Sequence, residues 1–228
     1  MKILALESSA KAASVCITED GVLTAQYFQN CGLTHSRTLL DMANNMLSCM
    51  EKSVKDMDVI AVAKGPGSFT GIRIGVAAAK GLAWGADKKL CGVSTLEAMA
   101  YQLSDREGVV LCPVMDARRH EVYNALFEAK DGAIIRLSPD RAIPIQTLLD
   151  EAKASDKIFL LVGDGAAITA AAFAENSIAY KIAPANLLFQ TAYGVARAAE
   201  QYEPQNDVEP NYLRLSQAER ERNARLGK

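Results

Sequence analysis

The sequence predicts an α/β protein of two lobes, each reading β-β-β-α-β-α-β-α. Three observations carry that expectation. Short apolar runs suited to strands alternate with longer segments of helical period. Asp20-Gly21 and Asp131-Gly132 supply turns, because glycine tolerates the left-handed backbone that hairpins use. The same order of elements occurs twice along 228 residues, without any residue-level repeat.

In the first lobe, residues 3–6 form an apolar strand that ends at Glu7-Ser8-Ser9. Residues 13–18 and 22–29 flank the Asp20-Gly21 turn as a hairpin. Leu39, Leu40, Met42, Ala43, Met46, Leu47 and Met50 then fall on one broad helical stripe, with Thr34 or Ser36 as cap. Residues 59–62 read as a buried strand, 72–86 as a helix, 90–93 as a strand, and Ser94 caps a helix to 103. In the second lobe, strands are expected at 109–115, 121–128, 133–137, 158–162 and 178–182. Helices are expected at 145–154, 166–174 and 186–201.

Hairpin-linked strands followed by alternating β and α elements give a mixed sheet covered by helices. Two such units in tandem are the layout of the actin-like, sugar-kinase-like fold. The polar stretch Ser104-Asp105-Arg106-Glu107-Gly108 places the lobes at 1–104 and 105–212, with 213–228 a charged, flexible tail.

Composition narrows the function classes. Hydrophobic residues at 50% and charged residues at 23% exclude disordered and collagen-like chains. A net charge of -2 excludes a strongly basic nucleic-acid reader but leaves room for a local basic patch. Cys16, Cys31, Cys49, Cys91 and Cys112 form no C-x-x-C pair, which argues against a zinc knuckle or disulfide framework and suits a reducing cytosol. The apolar run at the N-terminus is too short for a signal peptide, and no stretch nears the roughly 20 apolar residues a membrane helix needs. A cytoplasmic protein is expected.

The most informative segment is Lys64-Gly65-Pro66-Gly67-Ser68-Phe69-Thr70-Gly71-Ile72-Arg73-Ile74-Gly75, between a strand and a helix. It matches neither the P-loop nor G-x-G-x-x-G. A loop opening a helix can still bring N–H groups to an anion. A second reading starts from Gly67, Gly71, Gly75 and Ala79, spaced by four. On a helix they make a small-residue stripe that admits another backbone closely. Large apolar residues surround that helix, so it needs neighbours on two sides: its own sheet, and either the helix at 39–50 or another chain. The methionines of that other helix suit an adaptable binding face as well as a core.

Chemistry-bearing residues are sparse. His35 and His120 are the two histidines, and neither has a partner at helical spacing for a metal. His35 suits capping or packing, and His120 a hairpin loop. Glu7, Glu97, Asp116 and Asp164 are candidate acids or bases, with helix and turn capping as the alternative.

The glycine segment, with Ala79-Lys80-Gly81-Leu82-Ala83, resembles the signature of the bacterial TsaB (YeaZ) family. Leu6-Glu7-Ser8-Ser9, His35-Ser36, Gly92-Val93-Ser94-Thr95-Leu96-Glu97, Met115-Asp116-Ala117-Arg118, Glu121-Val122-Tyr123 and Pro210-Asn211-Tyr212-Leu213-Arg214 extend the likeness over nearly the whole chain. The resemblance implies a two-lobed actin-like, Hsp70-like fold. It implies a non-catalytic subunit in making N6-threonylcarbamoyladenosine at position 37 of tRNAs reading ANN codons. There it would bind and organise the catalytic relative TsaD together with the ATPase TsaE, while TsaC supplies threonylcarbamoyl-adenylate. The relative's N-H-x-E-G-H metal motif aligns with Ser94-Thr95-Leu96-Glu97-Ala98-Met99, so Thr95 and Met99 replace its two histidines. Glu7 stands where the family usually has Asp.

The family pairs through two helices of the first lobe. The implied interface is Leu39, Leu40, Ala43, Met46, Leu47, Phe69, Gly71, Ile74, Gly75 and Ala78. It would serve TsaD, or a second copy when the chain is alone. Ser8, Gly67, Ser68, Gly163 and Gly165 are the nucleotide-binding candidates. No cofactor is expected on the chain alone, ATP or ADP would sit at the complex interface, and tRNA would be reached through the complex. The alternative is an ATP-using transferase or phosphotransferase of the actin-like superfamily, active on its own.

Overall fold

The computed structural model describes residues 1–214 and 225. The first sheet has five strands in the order β3-β2-β1-β4-β5: β1 (Lys2–Glu7), β2 (Ala13–Glu19), β3 (Val22–Gln29), β4 (Val59–Ala63) and β5 (Lys89–Val93). The β1-β2-β3 pairs are antiparallel, and β4 and β5 join β1 in parallel.

Side chains alternate across a strand, so β1 serves both faces. Leu4 and Leu6 pack under α1 (His35–Cys49) and α2 (Phe69–Ala86). Ile3 and Ala5 pack under α6 (Ala192–Ala199), through Ala192, Val195, Ala196 and Ala199. This explains the apolar run of β1, whose residues from Ile3 to Glu7 are all buried.

The second sheet holds β6 (Val110–Asp116), β7 (Glu121–Asn124), β8 (Phe127–Lys130), β9 (Ala133–Arg136), β10 (Arg141–Pro144), β11 (Phe159–Val162) and β12 (Tyr180–Ile182). Its main path is β10-β7-β6-β11-β12, with β8 on β6 and β9 on β8. One face packs against α3 (Thr95–Tyr101) through Leu96, Met99 and Ala100. The other packs against α4 (Ile145–Lys153) and α5 (Ala166–Glu175) through Leu148, Leu149, Ala170 and Phe173. The helices are thus exchanged: α3 follows the first sheet and covers the second, while α6 follows the second and covers the first. Two mixed sheets with this exchange form an actin-like fold.

Several expectations change. The single strand at 121–128 is two strands. Asn124 Nδ2 donates to the Pro113 carbonyl (3.0 Å) and Leu126 N–H donates to Ser138 Oγ (2.8 Å), which interrupts the ladder on β6. Strand β10 was hidden by Pro139 and Pro144; it pairs only with β7, at an edge where proline is tolerated. The second lobe therefore opens with more strands than the predicted repeat. The helix expected at 186–201 starts at Ala192, with Thr191 as N-cap, because Gln102 Nε2 takes the Leu187 and Phe189 carbonyls (2.7 and 3.2 Å). Helix α1 starts at His35, whose ring Nε2 lies 2.7 Å from the Ala10 carbonyl.

The tail expected to be flexible from residue 213 starts with anchored residues. Arg214 donates to the Ala117 carbonyl (2.7 Å) and pairs with Glu121 (2.6 Å). The rest of that expectation, residues 215–224 and 226–228, lies outside the described residues. Among the described residues, no helix is long and apolar enough to cross a membrane.

Candidate functional site

Two regions gather the residues singled out by sequence: the junction between the sheets, and the outer surface of α1 and α2. At the junction, β1 ends in Glu7-Ser8-Ser9 and meets the glycine segment. Ser68 N–H donates to the Ser9 carbonyl (2.6 Å), and Ser68 Oγ caps α2 by accepting from Gly71 N–H (3.3 Å). Ser8 Oγ donates to the Gly71 carbonyl (2.9 Å). A Cβ at Gly71 would overlap the Ser8 carbonyl, and one at Gly75 would overlap Ser8 Oγ. The predicted small-residue stripe therefore seats α2 on β1 of its own chain.

Six of the ten expected interface residues lie inside the chain's own core. Leu39, Ala43, Met46 and Leu47 are buried in the core with β1, β2 and β4, and Gly71 and Gly75 are buried against Ser8. Leu40, Phe69, Ile74 and Ala78 keep exposed surface. The outer side of α2 carries a second small stripe that sequence reading passed over: Ala77, Gly81 and Gly85. All three are exposed, and a Cβ at Gly81 or Gly85 would meet nothing within 4 Å among the described residues. Beside them stands Trp84, 90% exposed. Counting by four from Ala77 would have found this stripe; counting from Gly67 follows the buried one.

Between the sheets lies a cleft of about 610 Å³, lined by Ser9, Lys11, Gly67, Ser68, Phe69, Met115, Asp116, Arg118, Asp164, Tyr212 and Arg214, among others. Glu7 lies fully buried behind it. Its Oε1 accepts from Ser9 N–H (2.5 Å), while Oε2 has no partner among the described residues. Burial pushes its carboxyl up to about 7, against the lowering effect of the Ser9 hydrogen bonds. Burial also raises Asp164, whose Oδ1 accepts from Asp116 N–H (3.4 Å).

The five nucleotide-binding candidates fall on both sides of this junction. The N–H groups of Ser68, Gly163 and Gly165 already donate to Ser9, Leu188 and Val114 carbonyls (2.6, 2.7 and 3.1 Å). Ser8 is buried and committed to Gly71. Gly163 and Gly165 press on β6: a Cβ at Gly163 would collide with the Val114 carbonyl, and one at Gly165 would sit 3.0–3.1 Å from Met115 and Asp116 backbone. Of the five, Gly67 and Ser68 reach the cleft wall.

Thr95 and Met99 are fully buried, Met99 within the second sheet's core. Glu97 accepts from Tyr202 Oη (2.8 Å to each oxygen) and pairs with Arg136 (2.9 Å). Among the described residues, no group of three His, Cys, Asp or Glu could hold a metal ion. His120 is exposed in the β6–β7 loop, as expected.

Residues 205–214 cross this junction as a strap that sequence reading did not foresee. Gln205 exchanges backbone bonds with Leu90 (2.7 and 2.8 Å), and Asn211 N–H donates to the Lys64 carbonyl (2.6 Å). A Cβ at Gly65, whose φ is +114°, would strike the Asn211 carbonyl. Tyr212 stacks on Phe69 (4.6 Å between centroids), and Arg73 covers the same Phe69 ring at 3.9 Å. Arg214 completes the crossing to the second sheet.

Comparison with known proteins agrees with this architecture. The sequence model of the family "TsaD: tRNA N6-adenosine threonylcarbamoyltransferase" matches residues 29–222. The tRNA threonylcarbamoyladenosine biosynthesis protein TsaB of Bacillus subtilis (strain 168) is 29% identical, over 96% of this chain and 96% of that protein. TsaB of Escherichia coli (strain K12) is 38% identical over 59% of this chain and 58% of its own. The structure of YeaZ from Pseudomonas aeruginosa is similar in fold, with a TM-score of 0.77 and 23% identity over 93% of this chain and 99% of that one. The chain belongs to the TsaD-type tRNA N6-adenosine threonylcarbamoyltransferase family, on its TsaB (YeaZ) branch.

Proposed function

We propose that this chain is a non-catalytic subunit in tRNA N6-threonylcarbamoyladenosine synthesis that docks a TsaD subunit on the outer face of α2. The observation that carries the reading is the exposed stripe Ala77, Gly81 and Gly85, flanked by Ile74, Ala78 and the 90% exposed Trp84. Small residues in a row let a second helix approach closely, and a large exposed aromatic beside them is a typical anchor. Leu40 on the neighbouring helix α1 is exposed as well. The same face would pair with a second copy when the chain is alone. TsaE, and ATP or ADP, would bind where the two subunits meet. All of this takes place in the cytoplasm.

The non-catalytic part of the reading is supported by Thr95 and Met99, whose side chains are spent on packing, and by Glu97, which is tied to Tyr202 and Arg136. The test is co-purification with TsaD, followed by a reconstituted tRNA-modification assay. Ile74→Asp and Ala78→Arg should lose TsaD and leave the fold intact. Alanine at Glu7 should leave modification intact. Unchanged capture of TsaD by both interface variants would overturn the docking face. Nucleotide turnover by the isolated chain would support an independent ATP-using enzyme instead.

A further inference from the structure

The mouth of the cleft carries a group of side chains that the docking face does not use. Lys11, Arg118 and Arg214 line it, together with Phe69 and Tyr212. Arg119 and His120 follow Arg118 in the same exposed loop. Arg118, Arg119 and His120 each have φ near +60°, so the loop between β6 and β7 turns tightly as an exposed arch that carries the two arginines. Arg73 lies over Phe69 at 3.9 Å and donates from Nε to Tyr212 Oη (2.9 Å), and Arg118 of the arch lines the same cleft as Phe69 and Tyr212. Arg214 is paired with Glu121. Lys11, Arg73, Arg118 and Arg119 form no salt bridge with an acidic side chain among the described residues.

Cations at a rim with an aromatic and guanidinium surface between them suit a backbone with phosphates and unstacked bases. The cleft wall behind the rim is acidic, with Asp116 and Asp164. Carboxylates repel phosphate but accept hydrogen bonds from ribose hydroxyls and exocyclic amines. Phosphates would therefore stay at the arch, while a splayed nucleoside turns inward. The 2′-hydroxyl gives such a site a means of telling RNA from DNA.

We infer that the cleft mouth, lined by Lys11, Arg118 and Tyr212 with Arg73 and Arg119 beside it, binds a single-stranded loop of RNA directly. This deepens the proposed function and rests on it for the choice of tRNA as probe. It departs from the expectation that RNA is reached only through partner subunits.

The test is fluorescence anisotropy of the full chain with an unmodified tRNA transcript. Controls are a blunt RNA duplex, a DNA hairpin of the tRNA loop sequence, and AMP. The tRNA should bind more tightly than the duplex or the DNA. Arg118→Glu with Arg119→Glu should weaken it at least tenfold, and Lys11→Glu at least threefold, with unchanged melting temperatures. The slope of log affinity against log salt should fall by about 0.7 for each phosphate that a variant no longer neutralises. The same variants should still capture TsaD, and Ala78→Arg should still bind tRNA, so the two readings fail separately. Equal affinity for the duplex, or arch variants that bind tRNA as well as the parent, would overturn the inference. Binding of AMP without tRNA would also overturn it, assigning the cleft to a free nucleotide.

Discussion

Helix α2 presents two small-residue stripes on opposite sides, and their surroundings differ completely. Gly71 and Gly75 are buried against Ser8 just past the end of β1, with no room for a Cβ at either, and Ala79 is buried in the core beside them. Ala77, Gly81 and Gly85 face outward, with open space beyond the two glycines. The periodicity is the same; only the neighbour differs. A stripe of small residues says that something comes close, and the rest of the fold decides whether that something is the chain's own strand.

The most damaging way to probe this contrast is Gly71→Ala. The added methyl strikes the Ser8 backbone, which cannot move without shifting β1, and the cost should be about 3 kcal/mol. Urea denaturation would measure it, and a loss within error of zero would mean that α2 slides freely on β1.

Next comes Glu7, which sits beside Ser8 under the inner stripe. Its carboxyl is raised by burial from the usual carboxylate range to about 7. The folded state then holds a proton, between about pH 4.5 and 7, that the unfolded chain releases. The Glu7 contribution is therefore fully present below about pH 4.5 and is lost as pH rises through 7. Replacement by Gln should remove the loss and stabilise the protein by up to about 3 kcal/mol at pH 8, with little effect near pH 4. Thermal melts of both proteins across this range would show a gap that opens with pH; a constant gap would contradict the burial argument.

On the outer side, Trp84→Ala should leave the fold unchanged and weaken TsaD or self-association by about 2 kcal/mol, read by sedimentation or calorimetry. The smallest and sharpest effect is Gly81→Ala. In open space on a helix, alanine should raise stability by up to about 1 kcal/mol, opposite in sign to the same change at Gly71. Equal signs at the two positions would end the distinction between the stripes.

Much of this fold was readable from sequence because local signals and burial coincide. Ser94 caps α3 as expected, accepting from Glu97 N–H (3.3 Å), and the strands of the first sheet fall where apolar runs predict them. The side of α2 that faces inward was not readable, since Ser8 lies 63 residues away from Gly71 and no local pattern names it. The strap was missed for a related reason: Tyr212 and Arg214 are ordinary polar-aromatic tail residues until the fold brings Phe69, Arg73 and Glu121 beside them. At the cleft, sequence shows that the amides of Ser68, Gly163 and Gly165 exist but not that they donate to the Ser9, Leu188 and Val114 carbonyls.

The exchange of α3 and α6 bears on how the chain is made. When β5 leaves the ribosome, the first sheet is complete, but Ile3, Ala5, Cys16 and Ala61 have no helix over them until Ala192–Ala199 emerges. That is roughly 100 residues later, or about 5–20 s of synthesis at ordinary elongation rates. Through that interval a nascent chain carries an uncovered apolar sheet face, a natural target for a chaperone. For the same reason, a fragment cut after the first sheet should aggregate, however complete its strands.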